Sequence, residues 1–419
     1  MNSVSFSPTP YSRRRFLSTS AAALGVAPMA LIRADEESPN EQIAIGIIGC
    51  GGMGLGNMKN FLNIKGVRVV AVCDVDRRMM QKAKRTVDEF YENEDCKMYE
   101  VYRDLLGHPE LDAVSVATPD HWHARIGIDA AEAGMDIYGE KPLTWGLAEG
   151  RALVDAIGRN QCIWQTGSWQ RSKGEFRRFK ALIENDTIGE LERFECGLPS
   201  GYGRRGKSQG NQVPSHLDWE AYCGPAGEFG YDARIHPFNW RWIHHFGGGQ
   251  LLDWVGHHVD IALWTLGLDH TGPEKVKGSG KLGEHDLFDA YVDYTFEGTF
   301  ADGPKIEVRS DFQGTRFTGK HGWIYVNRGK LEASDREMLR NLPDDFETKT
   351  PSHHQNFIDC VRSRKTPQSD AEGAHRAASF GQLALAAMDH GEEVRWDPAQ
   401  EQVLGNPKLA KHPRLGSRL

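Results

Sequence analysis

What this sequence lacks closes off several classes of protein. No apolar run approaches the ~20 residues that a bilayer-spanning helix needs, so no membrane span is expected. No basic stripe is present: 58 acidic residues face 50 lysines and arginines, for a net charge of −8. The first 34 residues carry Arg13, Arg14, Arg15 and Arg33 and no acid, so the remainder is more acidic still. An acidic body argues against nucleic acid or an anionic membrane surface as partner. The seven cysteines are an odd number with no CxxC spacing, so neither a zinc site nor a disulfide framework is indicated. What remains is an ordinary globular composition, 39% hydrophobic and 26% charged, in a chain long enough for two domains.

The chain is organised around the stretch from Gln42 to Asp74. Ile43 to Ile48 is an apolar, β-branched run of the kind found in buried parallel strands. Gly49, Cys50, Gly51, Gly52, Met53 and Gly54 follow at once, then a helical segment, Leu55 to Leu62, and a second strand, Val67 to Cys73. Each part has a physical task in a dinucleotide site. Gly49 allows the tight turn, Gly51 lets the backbone approach a pyrophosphate, and Gly54 lets helix and strand pack closely. The helix N-terminus offers free N–H groups to phosphate. Asp74 would accept hydrogen bonds from the ribose hydroxyls and repel a 2′-phosphate, which favours NAD. Arg77 and Arg78 just beyond it keep NADP possible.

Ser12-Arg13-Arg14-Arg15-Phe16-Leu17 precedes an Ala-rich, modestly apolar stretch. It resembles a twin-arginine export signal, expected over residues 1–34, with the periplasm or another extracytoplasmic space as destination and the export machinery as partner. That route carries folded proteins with cofactor inside. A nicotinamide nucleotide is scarce outside the cytoplasm, so an exported enzyme of this kind should hold its cofactor tightly and regenerate it in each cycle.

Strands and helices then alternate: helix Arg77 to Tyr91, strand Leu111 to Pro119, helix from Asp120 to Gly134, strand Met135 to Pro142. This is the rhythm of a doubly wound parallel sheet, whose ligands lie beyond the carboxyl ends of the strands. Thr118, His121, His123, Glu140 and Lys141 should gather there around the cofactor. Asp120 is positioned to cap its helix. His121 and His123, two apart in a first turn, diverge and make poor joint ligands; packing of Trp122 against the nucleotide is the expected use of this segment.

The pieces GIIGCGGMG, VAVCDVD, VATPDHWHARIGIDAAEAG and EKP, in that order, resemble the Gfo/Idh/MocA oxidoreductases, and the likeness covers nearly everything after residue 42. It implies a Rossmann domain (42–163) followed by a substrate-binding and oligomerisation domain (164–419). The second domain would be α+β with a large open, mainly antiparallel sheet, and the C-terminal helices could return to the first domain. The resemblance also implies a dimer or tetramer, and it places Lys141 beside the nicotinamide and the substrate hydroxyl, its bond to Pro142 commonly cis. An ammonium at the sheet's carboxyl edge suits that task, since it can orient a hydroxyl and stabilise developing alkoxide charge.

In the second half, Gln170 and Arg171 fall in a loop where the family lines its substrate pocket. Residues 199–234 read as a long irregular excursion, the place where substrate identity should lie. After Gly247 to Gly249, a regular helix would put Leu252, Val255, Val259, Ala262, Leu263 and Leu266 on one side and Asp253, His257, Asp260 and Trp264 on the other. The family's catalytic aspartate and histidine match Asp253 and His257. Asp253, four residues before His257, could hold the imidazole so that it takes the hydroxyl proton. Trp240 is a candidate sugar-stacking wall. A metal site from Asp253 and His257 with His236, His244, His245 or His258 is the weaker alternative, because His258 lies off the stripe and the others lie in a loop. From Lys275 to about Val326 the alternation is that of an antiparallel sheet, and two helices and a closing segment follow.

Two reactions fit these residues. One is hydride transfer between NAD and a hydroxyl of a sugar, glycoside or cyclitol. The alternative is glycoside hydrolysis by transient oxidation, elimination and re-reduction, which consumes no cofactor.

Overall fold

The computed structural model describes residues 42–201, 210–284, 286–301, 303–347 and 350–419. The expected export signal lies outside the described residues. The first domain is built on a six-stranded parallel sheet: β1 (Ile43–Ile48), β2 (Val67–Cys73), β3 (Lys97–Tyr99), β4 (Ala113–Val116), β5 (Asp136–Gly139) and β6 (Trp164–Thr166), in the order β3-β2-β1-β4-β5-β6. Every residue of β1 and β4 is buried, as a strand covered on both faces requires. Two assignments change here. Trp164 to Thr166, given to the second domain by rhythm alone, pairs with β5 as the far edge of the first sheet. The connection near Asp95 contains the short edge strand β3, too brief for its alternation to register in the sequence.

The second domain carries a nine-stranded sheet. Its strands are β7 (Leu191–Gly197), β8 (Lys275–Leu282), β9 (Tyr291–Thr299), β10 (Lys305–Arg309), β11 (Gly314–Gly319), β12 (Gly322–Asn327), β13 (Lys330–Ala333), β14 (Val394–Asp397) and β15 (Gln402–Val403). They run in the order β13-β12-β11-β7-β10-β9-β8-β14-β15, antiparallel except for the parallel β7–β10 pair. One face packs against helices. The other is wet and crossed by ion pairs such as Arg193–Glu307 and Lys277–Glu297.

Two C-terminal helices join the halves. His353–Ser363 buries Phe357, Ile358 and Val361 against β1 and helix Gly52–Leu62. Ala371–His390 is capped by Asp370, whose side chain accepts from Gly373 N–H, and it serves two cores. Ala371, Ala374 and Ala378 pack in the first domain, while Phe380 to Met388 pack under the second sheet, with Phe380 edge-on to Phe296 at 5.2 Å. One rigid helix in two cores fixes the carboxyl edge of the first sheet relative to the second domain.

Candidate active site

A cleft of about 440 Å³ runs along that carboxyl edge. Gly49, at the end of β1, has φ +89°, and a Cβ there would meet the Ala117 carbonyl oxygen at 2.6 Å. Gly54 sits where a Cβ would fall 1.8 Å from the Gly49 carbonyl oxygen, the close helix–strand approach that only glycine permits. Gly51 and Gly52, by contrast, have nothing among the described residues within 4 Å of the position a Cβ would take. Helix Gly52–Leu62 begins here with no side chain capping it, so its N-terminal N–H groups meet the cleft free to bind phosphate. Gly49, Gly51, Gly52 and Met53 line the cleft; Gly54 acts from behind them.

Asp74 lies at the tip of β2 and also lines the cleft. It accepts hydrogen bonds from Cys50 N–H (2.6 Å) and Asp76 N–H (2.8 Å), which ties the glycine loop to the second strand. Burial outweighs those bonds and pushes its carboxyl up to about 6. Arg77 is paired with Glu100 at 2.8 Å and Arg78 with Asp76 at 3.6 Å, both arginines exposed and close to Asp74 in the chain. Beyond Asp74, Met79, Val101 and Tyr102 supply apolar wall at the nucleotide's adenosine end. An uncapped helix start, open backbone and an acid at the ribose position fit a dinucleotide.

The reacting end gathers from distant segments. Thr118, Asp120, Glu140 and Lys141 line it from the first domain; Ala221, Tyr222, Phe238, Trp240 and Arg241 line it from the second. Lys141 follows β5, its peptide bond to Pro142 is cis, and its Nζ lies 2.7 Å from Asp253 Oδ1. Arg241 Nε approaches the same oxygen at 3.5 Å. Burial works to raise the Asp253 pKa, but the two cations outweigh it and hold the carboxylate below its ordinary range. Glu140 accepts from Asn57 at 3.1 Å, and burial raises its pKa.

Several expected roles change at this point. The run after Gly249 is not a regular helix: it is α-helical over Gly249–Trp254, π-helical over Val255–Val259, and α-helical again over Asp260–Leu266. The wider turn, a feature often found at functional sites, separates Asp253 from His257. Asp253 therefore pairs with Lys141 across the domain boundary rather than with His257. The His257 ring lies edge-on to Trp254 at 5.2 Å and near Trp169, and its buried Nδ1 has no hydrogen-bond partner among the described residues. Burial, with Lys141 and Arg328 adding positive charge, holds its pKa well below normal. Arg328, from the turn before β13, lies over both Trp169 and Trp254.

Arg171 is not a wall of the cleft. It is buried, and its guanidinium is bidentate to Asp260 at 2.6 and 2.8 Å and bonded to Asp269 at 3.0 Å. The pattern of a polar loop residue hides such a pairing because Asp260 is 89 residues away. His121 and His123 stand behind the wall rather than in it. His121 Nε2 is 2.9 Å from the Tyr222 carbonyl, and His123 reaches the carbonyls of Pro142 and Thr118 at 2.8 and 2.9 Å. They hold loops that do line the cleft. Asp120 does not cap its helix: Pro119 is the N-cap and no side chain caps it. His236 bonds Asp76 at 3.1 Å, and His258 stacks on Trp254.

Sequence reasoning missed Arg241, Phe238 and Tyr222. Arg241 carries one available signal, a cation between two tryptophans in NWRW; its guanidinium lies 4.3 Å from the Trp240 ring and 4.6 Å from Phe238. The excursion after Gly210 docks on the end of β2, with Asp218 N–H bonding the Val75 carbonyl and Arg77 N–H the His216 carbonyl, and so brings Tyr222 over the cleft.

The comparisons follow this geometry. A profile described as "Oxidoreductase family, NAD-binding Rossmann fold" matches residues 43–168, and one described as "Oxidoreductase family, C-terminal alpha/beta domain" matches residues 194–412. A scyllo-inositol 2-dehydrogenase (NAD(+)) from Bacillus subtilis is 25% identical over 375 residues, covering 85% of this chain and 97% of that one. A glycosyl hydrolase family 109 protein from a Shewanella species is 31% identical over 147 residues, 34% of this chain and 31% of its own. Among solved structures, scyllo-inositol dehydrogenase from Lactobacillus casei with NAD(H) and scyllo-inositol superposes with TM-score 0.61 at 16% identity, over 84% of this chain and 99% of that one. With both domains matched and the cradle for NAD in place, the chain belongs to the Gfo/Idh/MocA oxidoreductases as an NAD-dependent enzyme.

Proposed function

We propose that the enzyme transfers hydride between NAD and a secondary hydroxyl of a cyclitol, sugar or glycoside, and that it works after export with its nucleotide already bound. One observation carries the reading: the Lys141 ammonium, anchored 2.7 Å from Asp253, stands at the sheet edge where the nucleotide cradle meets the second domain. Nicotinamide, when bound, supplies the hydride acceptor. Lys141 then orients the substrate oxygen and stabilises negative charge developing on it. Asp253 holds that ammonium in place. Trp240, buried with Arg241 over its ring, forms the apolar floor on which that guanidinium rests. His257, kept unprotonated by burial, is the group that accepts the hydroxyl proton.

The substrate class is drawn from the inositol dehydrogenase relative, which aligns along nearly its whole length. Export rests on Ser12 to Leu17. The first test mixes the purified protein with a panel of cyclitols, aldoses and methyl glycosides and follows nicotinamide absorbance, after mass analysis of nucleotide released on denaturation. Stoichiometric NAD and reduction by at least one member support the reading. An empty protein that binds NAD weakly removes the captive-cofactor argument. Aglycone release with no lasting absorbance change would establish the hydrolytic alternative instead; its support is a likeness covering only a third of either chain.

A further inference from the structure

Lys141 and His257 act on a hydroxyl, and the residues beside them bear on what else the substrate carries. Two segments are clasped together here. The Ser168 hydroxyl donates to the Gly256 carbonyl at 2.8 Å, and Gly256 packs on the Lys141 stem, where an added Cβ would meet Lys141 Cβ at 3.0 Å. Trp169 and Trp254, both half-buried, therefore flank His257, their rings 6.2 and 5.2 Å from the imidazole. Arg328 lies over the same two indoles, its guanidinium carbon 4.7 Å from the Trp169 ring centre and 4.5 Å from that of Trp254. Arg328 and His257 are thus one indole apart.

The guanidinium is only partly used. Its Nε donates to Gln170 Oε1 at 3.2 Å, while its two terminal nitrogens have no hydrogen-bond partner, and no carboxylate pairs with it, among the described residues. The one described acid whose charge acts on it is Asp253, already 2.7 Å from Lys141 Nζ and 3.5 Å from Arg241 Nε. Three cations share that carboxylate, while burial pushes Glu140 and Asp120 toward their neutral forms. In a chain of net charge −8, this local excess of positive charge attracts an anion. Gln170 and His257, both buried, also keep Nε2 and Nδ1 without a partner among the described residues, which is costly unless a ligand completes them.

We propose that Arg328 is a specificity-determining residue and that the substrate is an acidic sugar, a uronic acid or uronoside whose ring carboxylate takes the free edge of this guanidinium. The proposal rests on the oxidoreductase reading and names the substrate class within it. With Nε spent on Gln170, the edge left lies between the two terminal nitrogens, and its parallel N–H groups match the two oxygens of a planar carboxylate. The two indoles hold the guanidinium before substrate arrives, so little freedom is lost on binding. Arg328 is exposed, so that edge is open to a solute. Charge recognised at one end of the ring, with Lys141 and His257 at the other, fixes which carbon faces the nicotinamide.

The test uses the full NAD-loaded enzyme and matched pairs of methyl glycosides, galactoside against galacturonoside and glucoside against glucuronoside. Wild type should favour the acid of at least one pair in kcat/KM, and the preference should shrink as salt is raised. Arg328→Gln should cut the acid-to-neutral ratio ~10–100-fold, the scale for one hydrogen-bonded charge, chiefly through KM for the acid, with NAD still released in full on denaturation. Arg328→Lys should keep part of the preference, since a point charge lacks the fork, and it carries the test if the glutamine variant does not fold. A wild type that oxidises the neutral sugars or cyclitols as well as the acids overturns the acidic substrate while the oxidoreductase reading stands. So does an acid-to-neutral ratio that neither substitution moves. A wild type that oxidises neither series nor any cyclitol overturns the oxidoreductase reading and this proposal with it.

Discussion

The two ends of the cleft are built in different ways. The polar parts of the nucleotide end, the glycine loop, the open helix start and Asp74, come from one continuous segment in which chain order and spatial order coincide, with Met79, Val101 and Tyr102 adding an apolar wall. Local rules on strand, turn and helix start suffice to place those polar parts. The reacting end takes Asp120 and Lys141 from one domain and Tyr222, Arg241 and Asp253 from the other. Its decisive contact, Lys141 to Asp253, spans 112 residues. Cofactor binding should therefore survive damage to the reacting end, and chemistry should depend on how firmly the domains are held together.

The largest expected effect lies outside the cleft. Arg171→Leu strips the buried Asp260 of its bidentate partner and leaves a carboxylate in the core, which should destabilise the fold by ~3–5 kcal/mol in denaturant titration. Were Arg171 a substrate residue, stability would hold and only KM would move. Next, Lys141→Ala should lower hydride transfer by ~10²–10³-fold, the scale for losing one donor to a developing oxyanion, with NAD still bound by mass. Loss of the nucleotide from that variant would erase the distinction between the two ends. Smaller is Gly54→Ala, whose Cβ would fall on the Gly49 carbonyl. The helix must shift, at ~1–3 kcal/mol, and NAD affinity measured by calorimetry should fall while the Lys141–Asp253 pair stays intact.

What was legible follows the same division. The alternation of strands and helices, the glycine loop and the mainly antiparallel second sheet all carry a period or a fixed spacing, and they stand where the sequence puts them. Asp253 and His257 were legible as residues but not as a pair. A 100° step assumes an unbroken α-helix, and the π segment at Val255–Val259 answers to tertiary packing that no local pattern encodes. Arg171 and Asp120 show the same limit from opposite sides. A cation in a polar loop proved to be buried, and an acid at a helix start proved to cap nothing. In each case the deciding partner, or its absence, is set by chain far away in sequence.

The smallest effect tests the nucleotide end by pH. Burial holds the Asp74 carboxyl at about 6, against ~3.9 in an unfolded chain. A raised carboxyl favours the protonated folded state, so its contribution to stability is full below ~4 and is lost as pH rises through 6. Binding runs the other way. The ribose hydroxyls need the ionised form as acceptor, which is a minor species at pH 5 and the major one at pH 7. If only that form binds well, NAD should bind ~10-fold more tightly at pH 7 than at pH 5, since apparent affinity scales with the competent fraction. Asp74→Asn should flatten both trends at once and narrow the preference for NAD over NADP, because the charge that repels a 2′-phosphate is gone. A variant that keeps the pH dependence of binding would move the ribose contact to another acid, with Glu100 the next along the same wall.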